Sequence, residues 1–117
     1  MSETRIADYL DQMLGATGQI RSYIEGVGKD DFLSDRRTQD AIVLNLIVLG
    51  ETATRLLKDH PEFADAHANI PWRAMKGMRN RIAHGYFEIN LDVVWDTVST
   101  AIPPLVENLT KLRRESS

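Results

Sequence analysis

The sequence predicts an all-α bundle of four to five helices. Apolar residues recur at steps of three and four along most of the chain, and strand-like alternation is poor. Only 7 Gly and 4 Pro interrupt that pattern in 117 residues. The length suits a single domain over residues 1–117, and 43% hydrophobic residues supply an ordinary core.

The first helix is expected over residues 3–24, with Ile6, Tyr9, Leu10, Met13, Ile20, Tyr23 and Ile24 on one stripe. Gly15 and Gly18 weaken its middle, and Gly26 and Gly28 stop it. Phe32 and Leu33 then form a short apolar anchor before Ser34, a candidate cap. A long helix follows over residues 34–58. From Ala41 to Leu49 it is apolar on almost every side, so in so small a chain one side is a candidate subunit interface. Pro61 ends it, and residues 61–69 have room for one or two turns. Pro71 suits the first turn of a further helix over residues 72–83, which Gly85 breaks. Asn90 caps a last helix carrying Leu91, Val94, Trp95, Val98, Ile102, Leu105 and Leu109. Pro103 and Pro104 predict a kink or a new start within it, and residues 113–117 read as a frayed tail.

Composition excludes several classes of function. No Cys is present, so disulfides, thiolate metal sites and a Cys nucleophile are ruled out. The longest uncharged apolar stretch, residues 41–50, is half of the ~20 residues a membrane span needs. The charged N-terminus lacks the apolar run of a signal peptide, and a cytoplasmic protein is expected. A net charge of −3 excludes a uniformly basic nucleic-acid binder. Residues 71–86 nevertheless hold Arg73, Lys76, Arg79 and Arg81 with no Asp or Glu. A solvated basic helix face would read the same way.

The segment from Met78 to Tyr86 carries the chemistry. Trp72, Met75 and Ile82 make an apolar stripe, and Arg79 falls on it. A guanidinium near a core demands an acceptor, because it cannot be neutralised. Asn80 and His84 are four apart and share the next face. His84 falls at the helix end beside Gly85, which permits a sharp turn, and Tyr86 follows. Arg with His and no carboxylate suits RNA cleavage by the ribose 2′-hydroxyl. That reaction needs proton transfer near neutral pH and a forked donor for extra charge on the phosphate oxygens. It needs neither a metal nor a cofactor. Taken singly, His84 could be a helix cap, Arg79 half of a buried ion pair and Tyr86 a half-buried aromatic.

Arg79, four residues, His84, one residue, Tyr86 resembles the R-x-x-x-x-H-x-Y signature of HEPN-fold ribonucleases of the HepT type. Gly50-Glu51, Ile70-Pro71-Trp72, the run from Gly77 to Arg81 and Val94-Trp95 resemble further phrases of that family, in its order. The resemblance covers nearly the whole chain. It implies an HEPN-type bundle that dimerises through the long apolar helix, with a metal-independent endoribonuclease cleft at the two-fold axis. It implies a toxin paired with a minimal nucleotidyltransferase (MNT) antitoxin that silences it by adding AMP to Tyr86. Arg79 and His84 would carry catalysis, with Asn80 as the polar neighbour in the motif. The acid-free basic window, apart from the resemblance, makes Arg73, Lys76 and Arg81 the candidate RNA contacts. A two-fold interface would also bring two copies of Arg79 and His84 together, which supplies both a base and an acid.

Other residues carry weaker expectations. Glu51 could hold Arg79, orient His84 or stand as a plain solvated carboxylate. His60 and His67 lack a carboxylate cluster to complete a metal site. Gly26 and Gly28 follow no strand and precede no Gly-Lys-Ser, so they make no phosphate loop. The alternative function is a catalytically silent HEPN module that binds nucleotide or RNA, or serves as adaptor for a nucleotidyltransferase. A purely structural helical dimer would leave the acid-free basic window unexplained.

Overall fold

The computed structural model describes residues 5–85 and 89–116. Its elements are α1 (Ile6–Ile24), α2 (Lys29–Leu33), α3 (Arg36–Asp59), α4 (Pro61–Ala66), α5 (Trp72–His84), α6 (Leu91–Asp96), a π turn (Thr97–Ala101) and α7 (Ile102–Glu115). The described residues contain no strand. Four long rods therefore make the bundle, joined by two short helices, because α6, the π turn and α7 run on without leaving the right-handed helical region.

α3 is the spine. Its 24 residues span about 36 Å at 1.5 Å per residue, most of the molecule's 43 Å long axis. α1 packs along one side of it and α5 along another, while α7 closes over α1. Leu10, Met13 and Ile20 from α1, Ile42 and Leu56 from α3, and Val98 and Leu109 from the last rod are essentially inaccessible. The apolar segment of α3 is covered on more than one side, as expected, but not all round. Leu44 is 60% and Val48 39% exposed, which leaves an apolar strip on the side that neither α1 nor α5 covers.

Polar ties fix the rods at their ends. Tyr9 donates its hydroxyl to Asp59 Oδ2 at 2.5 Å, joining the start of α1 to the end of α3. Gln39 Nε2 donates to Phe32 O at 2.9 Å and Leu33 O at 3.1 Å, closing the end of α2 onto α3. Phe32 meets Trp95 at a centroid separation of 5.3 Å, and Lys29 pairs with Asp92 at 3.1 Å, which seats α2 against α6.

Several local expectations are corrected. The cap of α3 is Asp35, not Ser34: Asp35 Oδ1 accepts from Thr38 N at 3.2 Å, and Oδ2 from the Thr38 hydroxyl at 2.7 Å. The Ser34 hydroxyl is already spent backwards, on Asp30 O and Asp31 O. The two bonds from Thr38 hold the Asp35 carboxyl below its ordinary pKa of 3.8, the Thr38 hydroxyl contributing most. Gly26 takes φ +72, the left-handed value that ends α1, whereas Gly28 simply precedes α2. Gly85 ends α5 at φ −133 and ψ 38, with no left-handed turn.

The new start expected at Pro103 and Pro104 is present as α7, which begins at Ile102, and the rod runs on through it without a break. Both prolines sit in the first turn of α7, and the helix widens to π just upstream. That widening accommodates rings that would otherwise crowd the carbonyls four residues back. The tail is not frayed where it is described, since α7 runs to Glu115. Arg113 Nε donates to Asp11 Oδ1 at 2.8 Å and Ser116 donates to Leu112 O at 2.8 Å, which pins it to α1 and to its own last turn.

Candidate active site

The site begins with a glycine. At Gly50 α5 comes so close to α3 that a Cβ would lie 2.7 Å from Met75 O and closer still to Arg79 Cβ. Trp72, Met75 and Ile82 are buried as the stripe predicts, with the Trp72 indole donating to His67 O at 3.1 Å. Arg79 emerges from that stripe directly over Gly50. Its Nε is enclosed away from solvent, and the charge that meets it is Glu51, the neighbour of Gly50 on α3. The acceptor that a core-edge guanidinium requires is therefore present. Arg79 Nη1 also donates to Asn80 Oδ1 at 3.2 Å. Nη1 is thus hydrogen-bonded and Nε is paired in charge with Glu51, and the side chain still stands one-third exposed, so the rest of the fork can meet a ligand.

His84 is the last residue of α5 and is exposed. Among the described residues no hydrogen bond or ion pair engages its imidazole, so it is neither the cap nor the partner of Glu51. Among the described residues Glu51 pairs with Arg79. Asn80 lies one turn before His84 on the same face of α5. Arg79 and His84 are five residues apart, which sets them about 140° apart around the axis and ~7.5 Å along it. Arg79, Asn80 and Glu51 are thus brought together, whereas His84 of the same chain points elsewhere. Tyr86, the expected modification site, lies outside the described residues.

The basic window divides in two. Arg73 and Lys76 line an open groove of about 610 Å³ between α3 and α5, and Asn80 stands at its end. Arg81 lines a different, largely apolar cavity of about 300 Å³ with Met78, Ile82, Ile89 and Val93. Lys58 and Thr54 of α3 complete the first groove and were not among the expected site residues. Their signal was present: Glu51, Thr54 and Lys58 are spaced three and four apart and so share one face of α3. His60 and His67 lie against the rings of Tyr9 and Phe63 respectively.

Comparison with known proteins assigns the class. A family model described as Ribonuclease HepT-like matches residues 13–112. The chain is 36% identical over 107 residues to the "Probable ribonuclease HepT" of Thermococcus cleftensis, covering 92% of this chain and 94% of that one. It is 30% identical over 104 residues to a protein named as a candidate RNase in Caldanaerobacter subterraneus, covering 89% and 90%. A candidate RNase of Methanocaldococcus jannaschii is 27% identical over 115 residues, covering 98% and 93%. No solved structure was found to match. The chain belongs to the HepT-like ribonuclease family, a class of RNA-cleaving enzymes.

Proposed function

We propose that this ribonuclease is a metal-independent endoribonuclease toxin that cuts RNA by attack of a ribose 2′-hydroxyl on the adjacent phosphate. The observation that carries the reading is a guanidinium anchored by Glu51 and Asn80 on the same helix as an exposed imidazole, five residues on, that nothing among the described residues engages. One imidazole takes the 2′-hydroxyl proton. The 2′-oxygen bonds to phosphorus, the bond to the 5′-oxygen breaks, and an imidazolium returns a proton to that leaving oxygen. The products are a 2′,3′-cyclic phosphate and a 5′-hydroxyl. Arg79 meets the extra charge on the phosphate oxygens during the transfer.

A homodimer fits this chemistry. Arg79 and His84 diverge by about 140° within one chain, so a second copy can set its His84 across from Arg79 where the first cannot. The uncovered strip at Leu44 and Val48 is the apolar surface such a pairing would use. Control by a partner MNT antitoxin would act at Tyr86, two residues past His84. AMP added to its hydroxyl would bring a phosphodiester charge and a nucleotide beside the site, competing for Arg79 and filling the cleft.

The test is cleavage of a labelled RNA by purified protein in EDTA, with the ends of the products mapped. Wild type should cut and leave 2′,3′-cyclic phosphate. Arg79→Ala and His84→Ala should each lose at least ~10²-fold. Equal cutting by wild type and His84→Ala would assign the activity to a contaminant. In the same preparation, ATP and a nucleotidyltransferase encoded beside this gene should add AMP at Tyr86 and abolish cutting. A Tyr86→Phe protein that is still silenced would place the control elsewhere.

A further inference from the structure

The groove between α3 and α5 has a chemistry the cleavage site does not use. Its cations are Lys58, Arg73 and Lys76, all exposed, and no Asp or Glu lines it. No ion pair or hydrogen bond is recorded for any of the three among the described residues. The two nearest acids of α3 are engaged elsewhere, Glu51 with Arg79 and Asp59 with Tyr9. Three exposed cations around a concave surface with no acid in its lining make a local positive field on a chain of net charge −3, and that field favours an anion in the groove. Arg73 is also the second residue of α5, whose first turn has no acid, so the positive end of that helix dipole reinforces the groove.

The groove has a direction. Arg73, Lys76, Asn80 and His84 are spaced three, four and four apart, so they form one stripe down α5. The stripe drifts by only about 20° between Arg73 and His84, over a length of ~16 Å. Asn80, which accepts from Arg79, ends the groove and stands one turn before His84. A flexible polyanion lying along the stripe with one phosphate at His84 would carry its neighbouring phosphates over Lys76, Arg73 and Lys58.

We propose that Lys58, Arg73 and Lys76 form a subsite for the backbone phosphates of single-stranded RNA, more than one nucleotide from the bond that is cut. It rests on the ribonuclease reading above and assigns to that site a strand-binding track which includes Lys58 of α3. The track contacts phosphates, not bases or 2′-hydroxyls, because ammonium and guanidinium groups on a groove wall meet backbone charge first.

The experiment uses full-length His84→Ala protein, so that the strand stays intact, and follows binding of a fluorescein-labelled single-stranded RNA by anisotropy against salt. Each phosphate contact contributes about 0.7 to the slope of log affinity against log salt for single strands. Lys58→Gln with Lys76→Gln should therefore lower the slope by about 1.4 and weaken binding roughly 10–30-fold at 0.1 M salt. Arg21→Gln, an exposed cation at the edge of a separate cavity, should leave the slope unchanged. Single-stranded DNA of the same sequence should show the same loss, and a loss confined to RNA would overturn the assignment to phosphates. An unchanged slope in the double variant while wild type still cuts would overturn the subsite and leave the nuclease reading standing. A lowered slope with a wild type that does not cut would sustain the subsite and remove that reading. Circular dichroism of the variants matched to wild type excludes misfolding as the cause.

Discussion

Gly50→Ala should destabilise the protein, and Gly15→Ala, the same chemical change in α1, should stabilise it. Alanine favours a helix over glycine by about 0.5–1 kcal/mol at either position. At Gly15 that is the whole effect, because the residue is exposed and nothing lies within 4 Å of an added Cβ. At Gly50 the new carbon would lie 2.7 Å from Met75 O and nearer still to Arg79 Cβ. Carbon and its neighbours rest at about 3.5–4.0 Å, so α5 must retreat by roughly 1 Å. Neither obstacle is the end of a flexible side chain, so rotation offers no escape. Overpacking of this kind costs about 1–3 kcal/mol, which after the helix gain leaves a net loss of about 1 kcal/mol at the middle of the range and about 2.5 kcal/mol at its top. At this chain length each kcal/mol moves Tm by roughly 3–6 °C. Urea titration and thermal melts by circular dichroism would read the two variants side by side. Cleavage should also fall in Gly50→Ala, by up to ~10²-fold, because a 1 Å retreat of α5 carries Arg79 off Glu51. A Gly50→Ala protein as stable and as active as wild type would refute the close approach, and with it the placement of Arg79.

Asp35→Ala removes the cap of α3 and should lower Tm at neutral pH, while Asp35→Asn should lose less because an amide oxygen still accepts from Thr38 N. The folded-state pKa of Asp35 is depressed, so its contribution is present above the ordinary carboxylate pKa of 3.8 and is lost as pH falls through the lower folded value. The gap in Tm between wild type and Asp35→Ala should therefore close in acid, and a gap independent of pH would contradict the hydrogen bonds to Thr38. Leu44→Asp puts a charge in the centre of the uncovered strip of α3. Light scattering should move from about twice the 13.2 kDa chain mass to a single chain with unchanged helical signal. A wild type that is already monomeric at micromolar concentration would remove the homodimer.

Much of this was legible because helix periodicity survives without any knowledge of partners. The stripe of Trp72, Met75 and Ile82 is buried as its spacing says, and Asn90 caps α6 by accepting from Asp92 N at 3.0 Å. The need of Arg79 for an acceptor was also legible, since a guanidinium on an apolar stripe leaves no alternative, and Glu51 supplies it. What the sequence left open are choices between near-equivalents settled by tertiary contact. Ser34 and Asp35 are both good caps, and bonds from the Ser34 hydroxyl back into α2 leave the cap of α3 to Asp35. Two adjacent prolines can be met by a break or by a widened turn, and packing of Val98 and Ile102 into the core keeps the rod whole. Arg113 belongs to a polar tail until Asp11, far away in sequence, is set beside it. The groove that joins Lys58 to Arg73 and Lys76 could not be drawn before α3 and α5 were known to meet at Gly50.

Where the helices meet also explains how the basic groups divide their work. Arg79 and Glu51 together carry no net charge, so that pair attracts no polyanion from a distance. On the proposed mechanism its value is local: Glu51 and Asn80 hold the guanidinium, and its one-third exposed side chain would meet charge as it builds on a phosphate. On that proposal, attraction would come from cations without a partner among the described residues, which within the acid-free window are Arg73, Lys76 and Arg81, to which α3 adds Lys58. Such groups act over about a Debye length of ~8 Å in physiological salt, so they must lie near the path of the strand. Arg73 and Lys76 lie on the stripe of α5 that leads to His84, and Lys58 faces them across the groove from α3. Loss of Glu51 and loss of Lys58 should therefore register differently: the first in the rate of cutting at saturating RNA, the second in the salt dependence of binding.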